Sequence, residues 1–372
     1  MSRFNTPFRY DYVGSFLRPA ELKQARADYE AGSITAAQLK AVEDKCITAL
    51  VNKQKSAGYH VITDGEFRRS AWHLDFMWGF DGVGHRKTAT GLPFHGEAAM
   101  IDDTYLTGRV AVTGEHPFVE HFRFVKALED EQTAAKQTIP APAQFLEQMA
   151  MPFAQENTRK YYSDMDELVQ DIAAGYQKVI ADLYAAGCRN LQLDDCSWGM
   201  LVDPGARLFF GTDEAGLHRI QEQLLFINNL ALEGKPEDLT VNTHVCRGNF
   251  HSTYASSGAY DSVAAILFAR ENVNAYYLEF DDARSGGFAP LSAVGADKKV
   301  VLGLITTKHP ELEDKQSVIA RIHEAAKYVP LDRLYLSPQC GFASCEIGNK
   351  LTEEEQWAKL ALVREIAEEV WS

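Results

Sequence analysis

The stretch Val241-Asn242-Thr243-His244-Val245-Cys246-Arg247-Gly248-Asn249 ends an apolar run with an imidazole and a thiol two residues apart. Side chains at i and i+2 of a strand point the same way, so a strand here lets His244 and Cys246 reach one point in space. The pattern recurs downstream, where Ala275-Tyr276-Tyr277-Leu278 runs into Glu279 and Leu336-Ser337-Pro338-Gln339 runs into Cys340. Short apolar runs that end in metal-ligand residue types predict strands whose C-terminal ends share one rim.

Outward from this segment, such runs alternate with longer stretches of helical period. Strands are expected near 11–14, 60–64, 136–139, 190–194, 239–244, 275–279, 299–304 and 333–337. Helices are expected from Ala36 to Gly58, from Met165 to Ala186 with a capping-box-like start at Ser163-x-x-Asp166, and at the end of the chain, where Thr352 and Glu355 have N-cap and N3 spacing. Eight strand-helix units predict an α/β fold, a (β/α)8 TIM barrel, rather than an open doubly wound sheet. The Gly-rich fingerprint of a dinucleotide fold is missing as well. A chain of 372 residues fits one such barrel, 1–372, with an insertion. Residues 70–133 break the rhythm, first with Trp72, Phe76, Trp78 and Phe80, then with alternation from Tyr105 to Val112. They read as an insertion after the second strand that contains a β-hairpin and covers the barrel mouth.

Active sites of these barrels lie where strands end, so strand ends are the informative positions. The first ends in Val13-Gly14-Ser15, the second in Asp64-Gly65-Glu66, the fourth in Asp194-Asp195, the fifth in His244 and Cys246, the sixth in Glu279 and the eighth in Cys340. Six ends with polar or ligand-type residues argue for a built site.

A formal net charge of -15 argues against nucleic acid as a partner, because neutralising phosphates needs basic surface. No apolar stretch approaches the length that spans a bilayer, so no membrane partner is expected. The six cysteines lack a paired framework, and Met1-Ser2-Arg3-Phe4-Asn5-Thr6 lacks the apolar core of a signal peptide. The expected compartment is the reducing cytoplasm. Cys46 and Cys188 read as packing residues.

Ligands gathered from distant segments fit a catalytic zinc site better than a structural one, which draws on tight local pairs. Two thiolates and a carboxylate outweigh the charge of Zn2+, so the ion is a poor electrophile for activating water. It suits holding a substrate thiol as a nucleophilic thiolate, and the expected chemistry is alkylation of a thiol.

The motifs Gly14-Ser15-Phe16-Leu17-Arg18-Pro19, Asp64-Gly65-Glu66, Gln192-Leu193-Asp194-Asp195, His244-x-Cys246, Glu279 and Ser337-Pro338-Gln339-Cys340-Gly341 resemble, in type and order, the catalytic barrel of the cobalamin-independent methionine synthase family. The resemblance implies zinc-dependent transfer of a methyl group to homocysteine, giving methionine. It implies His244, Cys246, Glu279 and Cys340 as zinc ligands, and Ser15 with the Val13 and Gly14 backbone as the receiver of the amino-acid carboxylate. Glu66 and Asp194 would hold the ammonium group, with Asp195 beside them. Paired carboxylates near an anionic metal site make sense when they bind a cation.

The chain resembles the short, single-barrel members, which lack the N-terminal barrel that helps bind polyglutamylated folate. Where the family has a histidine that protonates the departing pterin, Thr306-Thr307-Lys308-His309-Pro310 puts Lys308, with His309 one residue on. These two are the candidate catalytic acids. The folate-stacking Trp has no counterpart after Pro142, where Ala143-Gln144-Phe145 stands. The expected donor is a folate, methylcobalamin or a small methylated compound. A related short barrel alkylates coenzyme M, but a sulfonate-bearing thiol calls for cations where Glu66 and Asp194 stand. A porphyrinogen-decarboxylase-like lyase needs no thiolate-ligated metal, and a non-catalytic zinc-binding homologue completes the alternatives.

Overall fold

The computed structural model describes residues 5–372. Its strands are β1 (Val61–Ile62), β2 (Asp81–Arg86), β3 (Leu92–Phe94), β4 (Glu97–Ala99), β5 (Asp103–Ala111), β6 (Ala134–Ala135), β7 (Gln137–Pro140), β8 (Asn190–Asp194), β9 (Thr240–Val245), β10 (Ala275–Glu279), β11 (Lys299–Ile305) and β12 (Leu334–Pro338). Strands β7 to β12 form one sheet in chain order, each parallel to the next. Helices occupy the connections, as parallel neighbours require. Strands β8, β10 and β12 are buried at every position, which suits apolar runs covered on both faces.

Beyond β12 the pairing continues to the N-terminal segment. Tyr10 makes a parallel bridge with Leu336, supported by Asp11 N–H to Leu336 O and Leu336 N–H to Arg9 O, both 3.0 Å. Beyond β7, one residue separates it from β6, which pairs in parallel with β1. The N-terminal segment and the β1 region then meet through Thr63 Oγ1 to Gly14 O (2.8 Å), Phe16 N–H to Gly65 O (3.1 Å) and the Tyr12 hydroxyl on Val61 O. The fold is therefore mixed α/β with a sequential parallel sheet of the TIM-barrel type.

Two expected strands differ from the observed ones. The segment 11–14 forms no ladder, because the Asp11 carboxylate takes the Phe8 and Tyr12 N–H groups (3.2 and 2.7 Å) and turns the backbone. Gly14 then sits at φ 156°, where a Cβ would meet Thr138 Cγ2 at 2.7 Å. The segment expected at 60–64 pairs only at Val61–Ile62. Asp11 itself is fully buried, 3.1 Å from Lys136 Nζ and 3.0 Å from the Tyr277 hydroxyl.

Among the helices, Ala36–Ser56 is capped by a reciprocal Thr35–Gln38 box, and Glu353–Val370 by the expected Thr352–Glu355 box. The helix Met165–Ala185 differs: Asp164, not Ser163, is its N-cap, accepting Asp166 N–H at 2.9 Å. Aspartate one residue nearer the first turn outcompetes the serine.

Within 70–133, β2 and β5 pair antiparallel, as do β3 and β4 in a tight hairpin. The alternation from Tyr105 falls on β5. Leu92, Phe94, Ala99 and Ile101 from this region line the cavity described below.

Candidate active site

The register of β8, β9 and β10 places Asp194 beside His244 and His244 beside Tyr277. Strand ends that stop level in a parallel sheet bring their side chains to one rim. At that rim Nδ1 of His244 lies 3.1 Å from Tyr277 O, while Nε2 is buried without a hydrogen-bond partner. A carbonyl can only accept, so Nδ1 carries the proton and Nε2 presents a lone pair. Among the described residues, His244, Cys246 and Cys340 form a group whose ligand atoms all lie within 4.8 Å of one another. An orphaned imidazole nitrogen beside two buried thiols, its tautomer fixed by a backbone carbonyl, is a donor set that could hold a metal ion.

The loop after β12 that carries Cys340 is held by Gln339 N–H to Ile305 O (2.8 Å) and Thr307 N–H to Gln339 Oε1 (2.6 Å). A Cβ on Gly341 would lie 1.9 Å from Ser15 Oγ, so glycine there lets the loop after β12 approach the N-terminal segment. Gly199 does the same for Cys246, where a Cβ would meet the Cys246 carbonyl at 2.1 Å.

Glu279, expected as the fourth ligand, stands outside this group. Its Oε2 accepts the Arg247 N–H at 2.9 Å, and its Oε1 lies 2.8 Å from Arg284 Nη2 and 3.6 Å from Lys308 Nζ. These cations offset its charge. Lys308 is correspondingly fixed, also lying 3.5 Å from Asp281. Burial pushes its pKa down, but Glu279 and Asp281 outweigh this and hold it above the ordinary lysine value. Lys308 and His309 do not line the cavity, and His309 is exposed.

The cavity at the rim has a volume of about 610 Å³. Ser15, Glu66 and Asp194 line it beside the cluster. Glu66 has φ 61°, a backbone position that costs a non-glycine residue and is stabilised by Asp64 Oδ1 on its N–H and Arg18 on its carbonyl. Its Oε1 lies 3.3 Å from Arg69 and 3.1 Å from Thr138 Oγ1, and its Oε2 is buried without a partner. Burial raises the Glu66 carboxyl above its usual range, against Arg69 and Arg18. Asp194 accepts from Gln192 Nε2 at 2.7 Å, and burial, with Glu66 adding to it against His244, pushes its carboxyl up to about 7.

Asp195 behaves differently from its neighbour. It accepts from Ser197 N–H (3.1 Å), the Ser197 hydroxyl and Asn228 Nδ2 (2.9 Å), so its oxygens brace the start of the helix Ser197–Leu201 and do not line the cavity. Arg68 is drawn to Glu43 and Asp44, leaving Glu66 to Arg69.

Four further residues line the cavity. Cys196 Sγ lies 3.0 Å from Cys246 Sγ. Gln144 and Glu147 come from the helix Pro142–Ala150, each with a buried Oε1 lacking a partner, and burial pushes the Glu147 carboxyl up to about 8. The buried His73, with Nδ1 unpartnered, is pushed down to about 3 by burial and is neutral. Cys196 had a signal, since it follows the strand end Asp194-Asp195 directly; the others sit on helices or loops and had none.

A family profile described as the catalytic domain of cobalamin-independent synthase matches residues 155–369. A Bacillus subtilis protein named uncharacterized protein YxjH is 45% identical, over 98% of this chain and 95% of its own. A Listeria monocytogenes protein, solved as a candidate vitamin-B12-independent methionine synthase, superposes with TM-score 0.78 at 37% identity, covering 100% of both chains. A B12-independent methionine synthase from Shewanella, solved with selenomethionine, shares the fold at TM-score 0.72 and 18% identity, over 97% of each chain. The chain thus belongs to the cobalamin-independent synthase catalytic-domain family.

Proposed function

We propose that this chain transfers a methyl group to the thiol of homocysteine, forming methionine, with Zn2+ at His244, Cys246 and Cys340. The observation that carries the reading is the unpartnered Nε2 of His244 facing two buried thiols beside Glu66 and Asp194. When bound there, zinc keeps the acceptor sulfur ionised and nucleophilic.

The residues supply the rest. The free Oε2 of Glu66 and the raised Asp194 carboxyl form a buried acidic pair, and an ammonium group relieves both by an opposite charge. Ser15, next to Gly341 where the N-terminal segment meets the loop after β12, is the residue we assign to the acceptor carboxylate. In the transfer a sulfur–carbon bond forms, the donor's methyl bond breaks, and the electron pair stays on the donor atom, which takes up a proton when that atom is a folate nitrogen. Glu147 carries a proton at neutral pH and lines the same cavity, so we assign it that delivery. Lys308 then serves to hold Glu279, and His309 has no role in the step. Asp195 braces the β8 end.

The apolar side of the cavity, with Leu92, Phe94, Ile101 and Phe250, suits the body of a donor such as a monoglutamyl folate, methylcobalamin or a small methylated compound. A sulfonate-bearing acceptor thiol is disfavoured by the Glu66–Asp194 pair. Supplying the zinc-loaded protein with homocysteine and this panel of donors, and assaying methionine, tests the reading. Methionine from at least one donor supports it, and none from any donor rejects it.

A further inference from the structure

Resting on the methyl-transfer reading above, we infer that the donor is a methyl onium compound, a sulfonium or a quaternary ammonium, held against Trp72, Phe94, Phe209 and Phe250. All four rings line the cavity. The face of an aromatic ring attracts a cation, and tryptophan does so most strongly. Elsewhere the chain's own cations take such faces, as Arg68 does over Phe124 at 5.2 Å and Arg109 over Tyr162 at 4.7 Å. Among the described residues, no lysine or arginine lies over these four rings. Tyr254 also lines the cavity, but Arg284 at 4.2 Å and His95 at 5.0 Å already cover its ring. Trp72 is set in place by its N–H on Ser344 O (2.8 Å) and by its carbonyl, which accepts from Arg69 Nη1 (3.1 Å). The ring beside it at 4.5 Å, His73, is neutral.

The charge of the wall points the same way. Among the described residues it carries the carboxyl groups of Glu66, Glu147, Asp194 and Asp203 and neither lysine nor arginine. A neighbouring cavity of about 690 Å³ is lined by Arg26, Arg68 and Lys87, so the absence is particular to this one. With Glu66 and Asp194 given to the acceptor ammonium, Glu147 and Asp203 are left for the donor. Glu147 Oε1 is buried without a partner. Asp203 accepts the Gly205 and Ser257 N–H groups, at 2.7 and 2.8 Å, rather than a cation. A donor bearing phosphate or several carboxylates meets no counter-charge on such a wall, whereas a cation does.

The step balances without a proton on the donor. The electron pair of the acceptor thiolate forms the sulfur–carbon bond, and the bond from the methyl carbon to the onium atom breaks. Its electron pair stays on that atom, which leaves as a neutral thioether or tertiary amine, and nothing is oxidised or reduced. Water would solvate both ions and resist their cancellation, which an apolar wall does not. Glu147, with no leaving atom to protonate, can give up its proton and stand as counter-charge, because an opposite charge favours the ionised carboxyl.

Two measurements on the full zinc-loaded chain test the inference. Calorimetry without acceptor, so that no transfer occurs, compares trimethylsulfonium and tetramethylammonium with tert-butanol, a neutral compound of similar shape. Both onium ions should bind more tightly than tert-butanol. Trp72→Leu should weaken them by about tenfold, and Trp72→Phe should restore most of the loss. Phe209→Leu should weaken them as well, in a ring 48% exposed whose loss leaves the core intact. Methionine formation from homocysteine is then followed with trimethylsulfonium, dimethylsulfoniopropionate, tetramethylammonium, glycine betaine, methylcobalamin and monoglutamyl methylfolate. Methionine from a sulfonium or an ammonium compound supports the inference, and which of the two serves identifies the onium atom. Onium binding no tighter than that of tert-butanol, or untouched by both Trp72→Leu and Phe209→Leu, would overturn it. Methionine from methylcobalamin or methylfolate, with none from any onium compound, would overturn it while leaving the methyl-transfer reading standing. No methionine from any donor would overturn both.

Discussion

His244 has its Nδ1 committed to Tyr277 O and its Nε2 buried without a partner, so it has one lone pair to give, and Cys246 and Cys340 stand in reach of the same point. Removing either thiol takes away a main metal bond, so Cys246→Ser or Cys340→Ser should lose the zinc. Cys345, five residues beyond Cys340 and outside the cluster, is the control, and Cys345→Ser should keep it. Metal analysis after dialysis checks all three, and full zinc in the first two would reject the site. Asp194 gives a second test. Its folded pKa, about 7, lies above the ordinary 3.8, so the folded state favours the protonated carboxyl. The stability this provides is complete below the unfolded value and is lost as pH rises through the folded one. The acceptor-free protein should therefore lose stability between about pH 4 and about pH 7, and Asp194→Asn should flatten that fall in denaturant titrations. The same variant, and Glu66→Gln, should weaken homocysteine binding by ~1.5–3 kcal/mol while retaining zinc. Calorimetry that finds unchanged binding would remove the ammonium assignment. That His244 and Cys246 share one face was legible because strand periodicity sets i and i+2 on the same side. The pairing of Glu279 with Arg284 and Lys308 was not, because it depends on segments that follow later in the chain.

At the scale of elements, β8 to β12 fall within a residue of the expected positions, since near-continuous apolar runs flanked by turn residues have few other ways to be satisfied. The first strand was misread for a physical reason. Asp11 inside an apolar run looked like a strand residue, yet its carboxylate takes backbone donors and pairs with Lys136 from β6–β7. Both side chains of that pair are fully buried. Breaking such a pair leaves an uncompensated charge, so Lys136→Met should destabilise the protein by ~3–5 kcal/mol, with the double variant Asp11→Leu/Lys136→Met recovering much of the loss. Urea unfolding of the single and double variants measures it. A single variant as stable as wild type would show that the pair does not hold the N-terminal segment in place. The start of Met165–Ala185 shows a finer limit, because Ser163 and Asp164 are both good caps and only the observed geometry separates them.

At the scale of the molecule, the strand order brings residues from positions 15 to 340 to one rim, and the region 70–133 adds apolar walls above it. The N-terminal third thus contributes Ser15 and Glu66, the middle Asp194 and Cys196, and the C-terminal part His244, Cys246 and Cys340. No helix among the described residues is long and apolar enough to cross a membrane. After Pro142, Gln144 and Glu147 line the cavity, with no tryptophan in that helix. A simple methyl donor should therefore be used better than triglutamyl methylfolate, as steady-state comparison of the two will show; efficient turnover of the triglutamyl form would contradict this. The central claim, that this rim holds an amino-acid thiol on zinc for methylation, is tested most directly by giving one preparation homocysteine and an isotopically methyl-labelled donor in three states: zinc-loaded, chelator-stripped and zinc-restored. Labelled methionine should form in the first and third and not in the second, whereas equal formation in the stripped protein, or none in all three, would contradict it.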